Sequence, residues 1–94
     1  METHLEKLIL GAHILRLLAA AQRDERTLGL EELVEELGVR RSDVRGCLSS
    51  LHEEGYLDVT RMRLTLPGFA FGSALRTRRL GALRRPSIVH SSAA

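Results

Sequence analysis

Aromatic side chains are almost missing from this sequence. Tyr56, Phe69 and Phe71 are the whole set, and there is no tryptophan. A surface on which unpaired bases stack needs several exposed rings, so single-strand binding by stacking is excluded. Cysteine is nearly absent too. Cys47 stands alone, which rules out an internal disulfide and fits a reducing, cytoplasmic home. Cys47 and the four histidines (His4, His13, His52, His90) are scattered without ligand spacing, so no metal and no cofactor is expected and the histidines read as surface residues. No apolar run approaches the ~18–20 residues that cross a bilayer, and no membrane role is expected. The N-terminal stretch, with Glu2 and Glu6, lacks the basic start and cleavage site of a signal peptide. There is no nucleophile–base pair and no glycine-rich phosphate loop, so an enzyme is not expected. Cys47 falls on an apolar helical stripe, where a cysteine packs rather than reacts.

Acid is missing from one part of the chain. The 94 residues carry a net charge of only +2. Residues 1–58 hold seven basic side chains and all twelve acids, a balance of −5, whereas residues 59–94 hold seven arginines and no acid. Such a split suggests an anionic partner for the C-terminal part; a solvated basic tail is the plainer alternative. The length is that of one domain with a modest core.

What is present is helical periodicity. Over residues 2–22, Leu5, Leu8, Ile9, Ala12, Leu15 and Ala19 recur at spacings of three and four. A second set, Leu10, Ile14, Leu17 and Ala21, repeats on another side. A helix apolar on two sides needs two partners. The second could be the C-terminal segment or the same helix of another subunit, and the set Leu10, Ile14, Leu17 and Ala21 is the candidate homodimer interface. A short second helix follows through Leu30, Leu33, Val34 and Leu37 and stops at Gly38. A third starts after Ser42, read as its N-cap, carries the stripe Val44, Cys47, Leu48 and Leu51, and stops at Gly55. Two short helices joined by so few residues read as a helix-turn-helix.

After Gly55 the period changes. Tyr56, Leu57 and Val59 suggest one short strand and Arg63–Leu66 another, with Leu64 and Leu66 on one face and Thr60–Met62 at the hairpin tip. Pro67 suits the first turn of a last helix over roughly residues 67–83, although Gly68, Gly72 and Gly81 weaken it. The expected fold is mainly α with a small β-hairpin: a three-helix core, a short two-stranded wing and a C-terminal helix, in one domain over residues 1–85. Residues 86–94 lack periodicity and are expected to be a disordered tail.

This element order is that of a winged helix-turn-helix, and the residues go further. Glu31-Glu32-Leu33-Val34-Glu35-Glu36-Leu37-Gly38 leads into Gly38-Val39-Arg40-Arg41-Ser42-Asp43-Val44-Arg45-Gly46-Cys47-Leu48-Ser49-Ser50-Leu51. Then come Leu51-His52-Glu53-Glu54-Gly55-Tyr56-Leu57 and Arg63-Leu64-Thr65-Leu66-Pro67-Gly68. Over about residues 8–75 these stretches resemble the turn, recognition helix and wing of MarR-like and IclR-like bacterial transcriptional regulators. The resemblance implies a DNA-binding domain that lays its third helix in the major groove of double-stranded DNA.

The residue chemistry suits that expectation. Opposite the apolar stripe, the third helix offers Arg41, Ser42, Arg45 and Ser49, with Arg40 just ahead of it; arginine can read guanine through two hydrogen bonds or grip phosphate. Arg61 and Arg63 on the wing, and Arg76, Arg78 and Arg79 beyond it, are candidate backbone contacts. Against this, Glu31, Glu32, Glu35 and Glu36 on the second helix oppose DNA unless they point away, and Asp43 repels phosphate. The expected function is a small DNA-binding transcriptional regulator, cytoplasmic and nucleoid-associated. The alternative is a winged-helix adaptor in a transcription or chromosome-associated assembly, binding protein partners without sequence-specific DNA binding.

Overall fold

The computed structural model describes residues 4–77 and 80. The chain runs α1 (His4–Arg23), α2 (Leu30–Leu37), α3 (Arg41–Glu53), β1 (Leu57–Asp58), β2 (Arg63–Leu64) and α4 (Leu66–Ala74), closing on a 3-10 turn at Leu75–Thr77. The strands pair antiparallel, Leu57 opposite Leu64 and Asp58 opposite Arg63. This is a winged helix-turn-helix: mostly helical, with one short hairpin among the described residues.

One core joins these elements. Ile14, Leu33, Val44 and Leu57, one from each of α1, α2, α3 and β1, are its most completely buried large side chains. Leu37, Leu48, Leu51 and Leu64 belong to the same cluster. The helical spacing of apolar residues in α2 and α3 thus does what it implies: each turns one face inward and leaves its polar face in water.

The glycines at the helix ends sit where no side chain is comfortable. Gly38 has φ 70° and Gly55 φ 86°, both left-handed. At Gly55 the closure is a Schellman pattern, with Gly55 N–H donating to His52 and Tyr56 N–H to the Leu51 carbonyl.

α1 departs from expectation. Leu10, Ile14 and Ala21, expected to face a second subunit, are buried within the chain itself, and Leu17 packs against the same core. α4 lies along α1 and packs on Leu15 and Ala19, members of the other apolar set. Leu10, Ile14 and Ala21 leave little apolar area for a second copy, while Leu17 is half-buried.

α4 packs through its glycines. Gly68 and Gly72 are its buried residues. A Cβ on Gly72 would stand 2.4 Å from the Leu15 carbonyl oxygen, and one on Gly68 1.9 Å from the Tyr56 carbonyl oxygen. Real side chains do not approach backbone so closely, so both positions need hydrogen. Two of the glycines expected to weaken this helix, Gly68 and Gly72, are its contact surface, while Gly81 lies outside the described residues.

Three boundaries are corrected. Ser42 is not the N-cap of α3; Arg40 holds that position with extended backbone and no side-chain cap, and Ser42 lies in the first turn. β2 ends at Leu64, so Leu66 does not share its face; Leu66 opens α4 and is 83% exposed. α4 ends at Ala74 rather than near residue 83. Thr65 caps it: its hydroxyl accepts from Gly68 N–H at 3.2 Å and donates to the Gly55 carbonyl at 2.6 Å. The expected tail at 86–94 lies outside the described residues.

Candidate nucleic-acid interface

α3 begins at Arg41, so Arg41 and Arg45 stand one turn apart, and Ser49 one turn further. With Ser42 they are all exposed, while Val44, Leu48 and Leu51 hold the opposite side in the core. Burial of the apolar stripe therefore fixes the direction of the polar one. Arg40 is exposed at the N-cap. Arg61 lies at the wing tip and Arg63 on β2, both exposed. Arg76 is exposed in the 3-10 turn. Arg78 and Arg79 lie outside the described residues.

Side-chain hydrogen bonds fix the wing in place. Asp58 Oδ1 accepts from the backbone N–H groups of Thr60 and Arg61 at 3.1 and 3.3 Å, which closes the tip without a glycine. Met62 takes the left-handed conformation there instead, with φ 52°. His52 joins the wing to α3: its Nδ1 lies 3.0 Å from the Leu57 carbonyl oxygen and accepts from Val59 N–H at 3.3 Å. Gln22 of α1 accepts from Leu64 N–H at 3.1 Å, pairing a donor of β2. His52 is thus a surface residue, as its sequence context suggests, but one that ties two elements together; nothing in its spacing signals that.

The carboxylates do not simply face away. Glu32 reaches back to Gly29 N–H at 2.7 Å and caps its own helix. Glu31 holds Arg41 in a two-point ion pair, both terminal nitrogens of the guanidinium facing the two carboxylate oxygens, with the Nη2–Oε1 hydrogen bond at 2.9 Å. Asp43 lies 3.7 Å from Arg40, and Asp58 3.8 Å from Arg61. Three of the arginines singled out for DNA thus have acid partners in the same chain. Arg45, Arg63 and Arg76 form no ion pair with a described residue. Residues 31 and 41 are too far apart in sequence for a spacing rule to join them; the turn at Gly38 brings them together.

Beside the arginine face, a groove of about 720 Å³ runs between α1 and α3. Leu8 and Phe71, two of the exposed large apolar side chains, stand on its walls, and no arginine lines it. Ser42 and Gly46 of α3 also line it, so it borders the polar side of that helix. Among the described residues no helix is long and apolar enough to cross a membrane.

No curated protein and no solved structure gives a significant match to the chain. A family model does. Residues 11–61 match the IclR helix-turn-helix domain, one of the two regulator types that the motifs resemble. The match takes in most of α1, the whole helix-turn-helix and the wing as far as its tip, which is more than half of the chain. With the described fold in agreement with it, the chain belongs to the IclR helix-turn-helix family of DNA-binding regulatory domains.

Proposed function

We propose that the protein is a DNA-binding transcriptional regulator that lays α3 in the major groove and sets its remaining arginines on the phosphate backbone. One observation carries this reading: Arg41, Ser42, Arg45 and Ser49 form one exposed side of a helix whose other side is locked in the core. Arg45 reads a base edge or grips phosphate, and Arg63 and Arg76 hold the backbone. Arg78 and Arg79 extend that contact.

A second reading keeps support from the ion pairs. An adaptor that binds proteins has no need of free arginines, and Arg40, Arg41 and Arg61 already have carboxylate partners.

Binding to random duplex DNA over a salt series separates the two. The regulator binds at low salt, with affinity falling steeply as salt rises. Arg45→Ala with Arg63→Ala lowers affinity and flattens the slope of log K against log salt by about two units. Absence of binding at low salt, with the fold intact by circular dichroism, would sink the regulator and leave the adaptor.

A further inference from the structure

We infer that Glu31 restrains DNA binding: its carboxylate holds Arg41 in an ion pair that a phosphate must displace before Arg41 can grip DNA. The inference rests on the DNA-binding reading above and assigns a role to a carboxylate that the reading otherwise treats as an obstacle.

The acids beside the arginines are placed one per element. Glu31 comes from α2 to meet Arg41, Asp43 meets Arg40 at the start of α3, and Asp58 meets Arg61 on the wing. The guanidinium side chains stay exposed, 53% for Arg41, 69% for Arg40 and 77% for Arg61. Exposed pairs of this kind add little to stability. Their main effect therefore falls on whatever else seeks the same guanidinium.

Arg41 and Glu31 are distinct among the three. Their contact is two-pointed and comes from a different helix, while the other two pairs join residues three apart at 3.7 and 3.8 Å. A DNA phosphate also presents two anionic oxygens to a guanidinium, so it competes for the same two-point contact and must displace the carboxylate to gain it. On random DNA, the lost ion pair offsets what Arg41 gains, and binding relies more on the arginines without acid partners. The acid therefore lowers adhesion to DNA.

A double-mutant cycle on the full chain tests this against random duplex DNA. In the wild type, Arg41→Ala changes affinity less than twofold, whereas Arg45→Ala lowers it clearly. Glu31→Gln tightens binding roughly three- to tenfold near 50 mM salt and steepens the salt slope by about one unit, the signature of one added phosphate contact. Adding Arg41→Ala to Glu31→Gln abolishes that gain. Glu35→Gln removes the same charge from the same exposed helix without a described arginine partner, and its effect is smaller. Thermal unfolding of each variant verifies that the fold is kept. A gain from Glu31→Gln no larger than that from Glu35→Gln, or one that survives the loss of Arg41, overturns the inference. Either result leaves the DNA-binding reading standing, because that reading fails only if the wild type does not bind at all.

Discussion

The seam between α1 and α4 and the face formed by α3 and the wing obey opposite rules. At the seam two helices come so close that Gly72 can carry nothing but hydrogen, and the surrounding contacts are apolar. On the arginine face Gly46 has open space around it, and charged side chains meet in pairs that water can reach. The first region holds the molecule together through close packing, where a misplaced methyl group is felt at once. The second contributes little to folding, and its charges remain available for exchange with a ligand. The same residue type, glycine in a helix, therefore means different things on the two sides.

Alanine at the two glycines breaks that comparison most directly, because the gain in helix propensity is the same in both. Gly72→Ala forces a Cβ against the Leu15 carbonyl oxygen and to 2.9 Å from the Ala19 Cβ. It is expected to destabilise by about 3 kcal/mol in urea unfolding, since backbone rather than a flexible side chain must yield. Equal stability to wild type would show that the seam is looser than its geometry states. Thr65→Ala strikes the join between wing and seam, removing both the cap of α4 and the bond to Gly55. A loss of about 1 kcal/mol is expected in the same measurement. Gly46→Ala, where a Cβ meets nothing within 4 Å, is expected to stabilise by roughly 0.5–1 kcal/mol, visible as a raised Tm. A lowered Tm there would mean that α3 resists the change for a reason other than space.

The fold was legible where it depends on side-chain periodicity. Val44, Leu48 and Leu51 predict the buried side of α3, and with it the outward side that carries Arg41, Arg45 and Ser49. Gly38 and Gly55 mark their helix ends because only the left-handed conformation closes them. The stretch Leu64-Thr65-Leu66-Pro67-Gly68 was recognisable as a motif, and the structure supplies its physical reason. Leu64 is buried, Thr65 caps α4, and Gly68 lets that helix reach the Tyr56 backbone.

Other features left no sequence signal. A helix face made of glycine has no apolar periodicity to detect, so the packing side of α4 reads as weakness. Two apolar sides on α1 call for two partners, but periodicity cannot say whether the second belongs to the same chain; here Leu10, Ile14 and Ala21 are covered from within. The Glu31–Arg41 pair depends on the angle between α2 and α3, which the turn sets. The acidic run on α2 was legible as charge, but not the division of labour within it, where Glu32 caps the helix and Glu31 holds an arginine.

The seating of α4 on α1 also bears on how the molecule comes into being. α1 is the first described helix to be synthesised and α4 the last, and the bond from Leu64 to Gln22 alone closes a loop of 42 residues. Such long-range closure is slow relative to local helix formation. While a ribosome is still producing the wing, Leu15 and Ala19 wait without their cover. The matched stretch, residues 11–61, ends before β2 and α4 begin. Gly72, the residue that meets Leu15 and Ala19, lies beyond it.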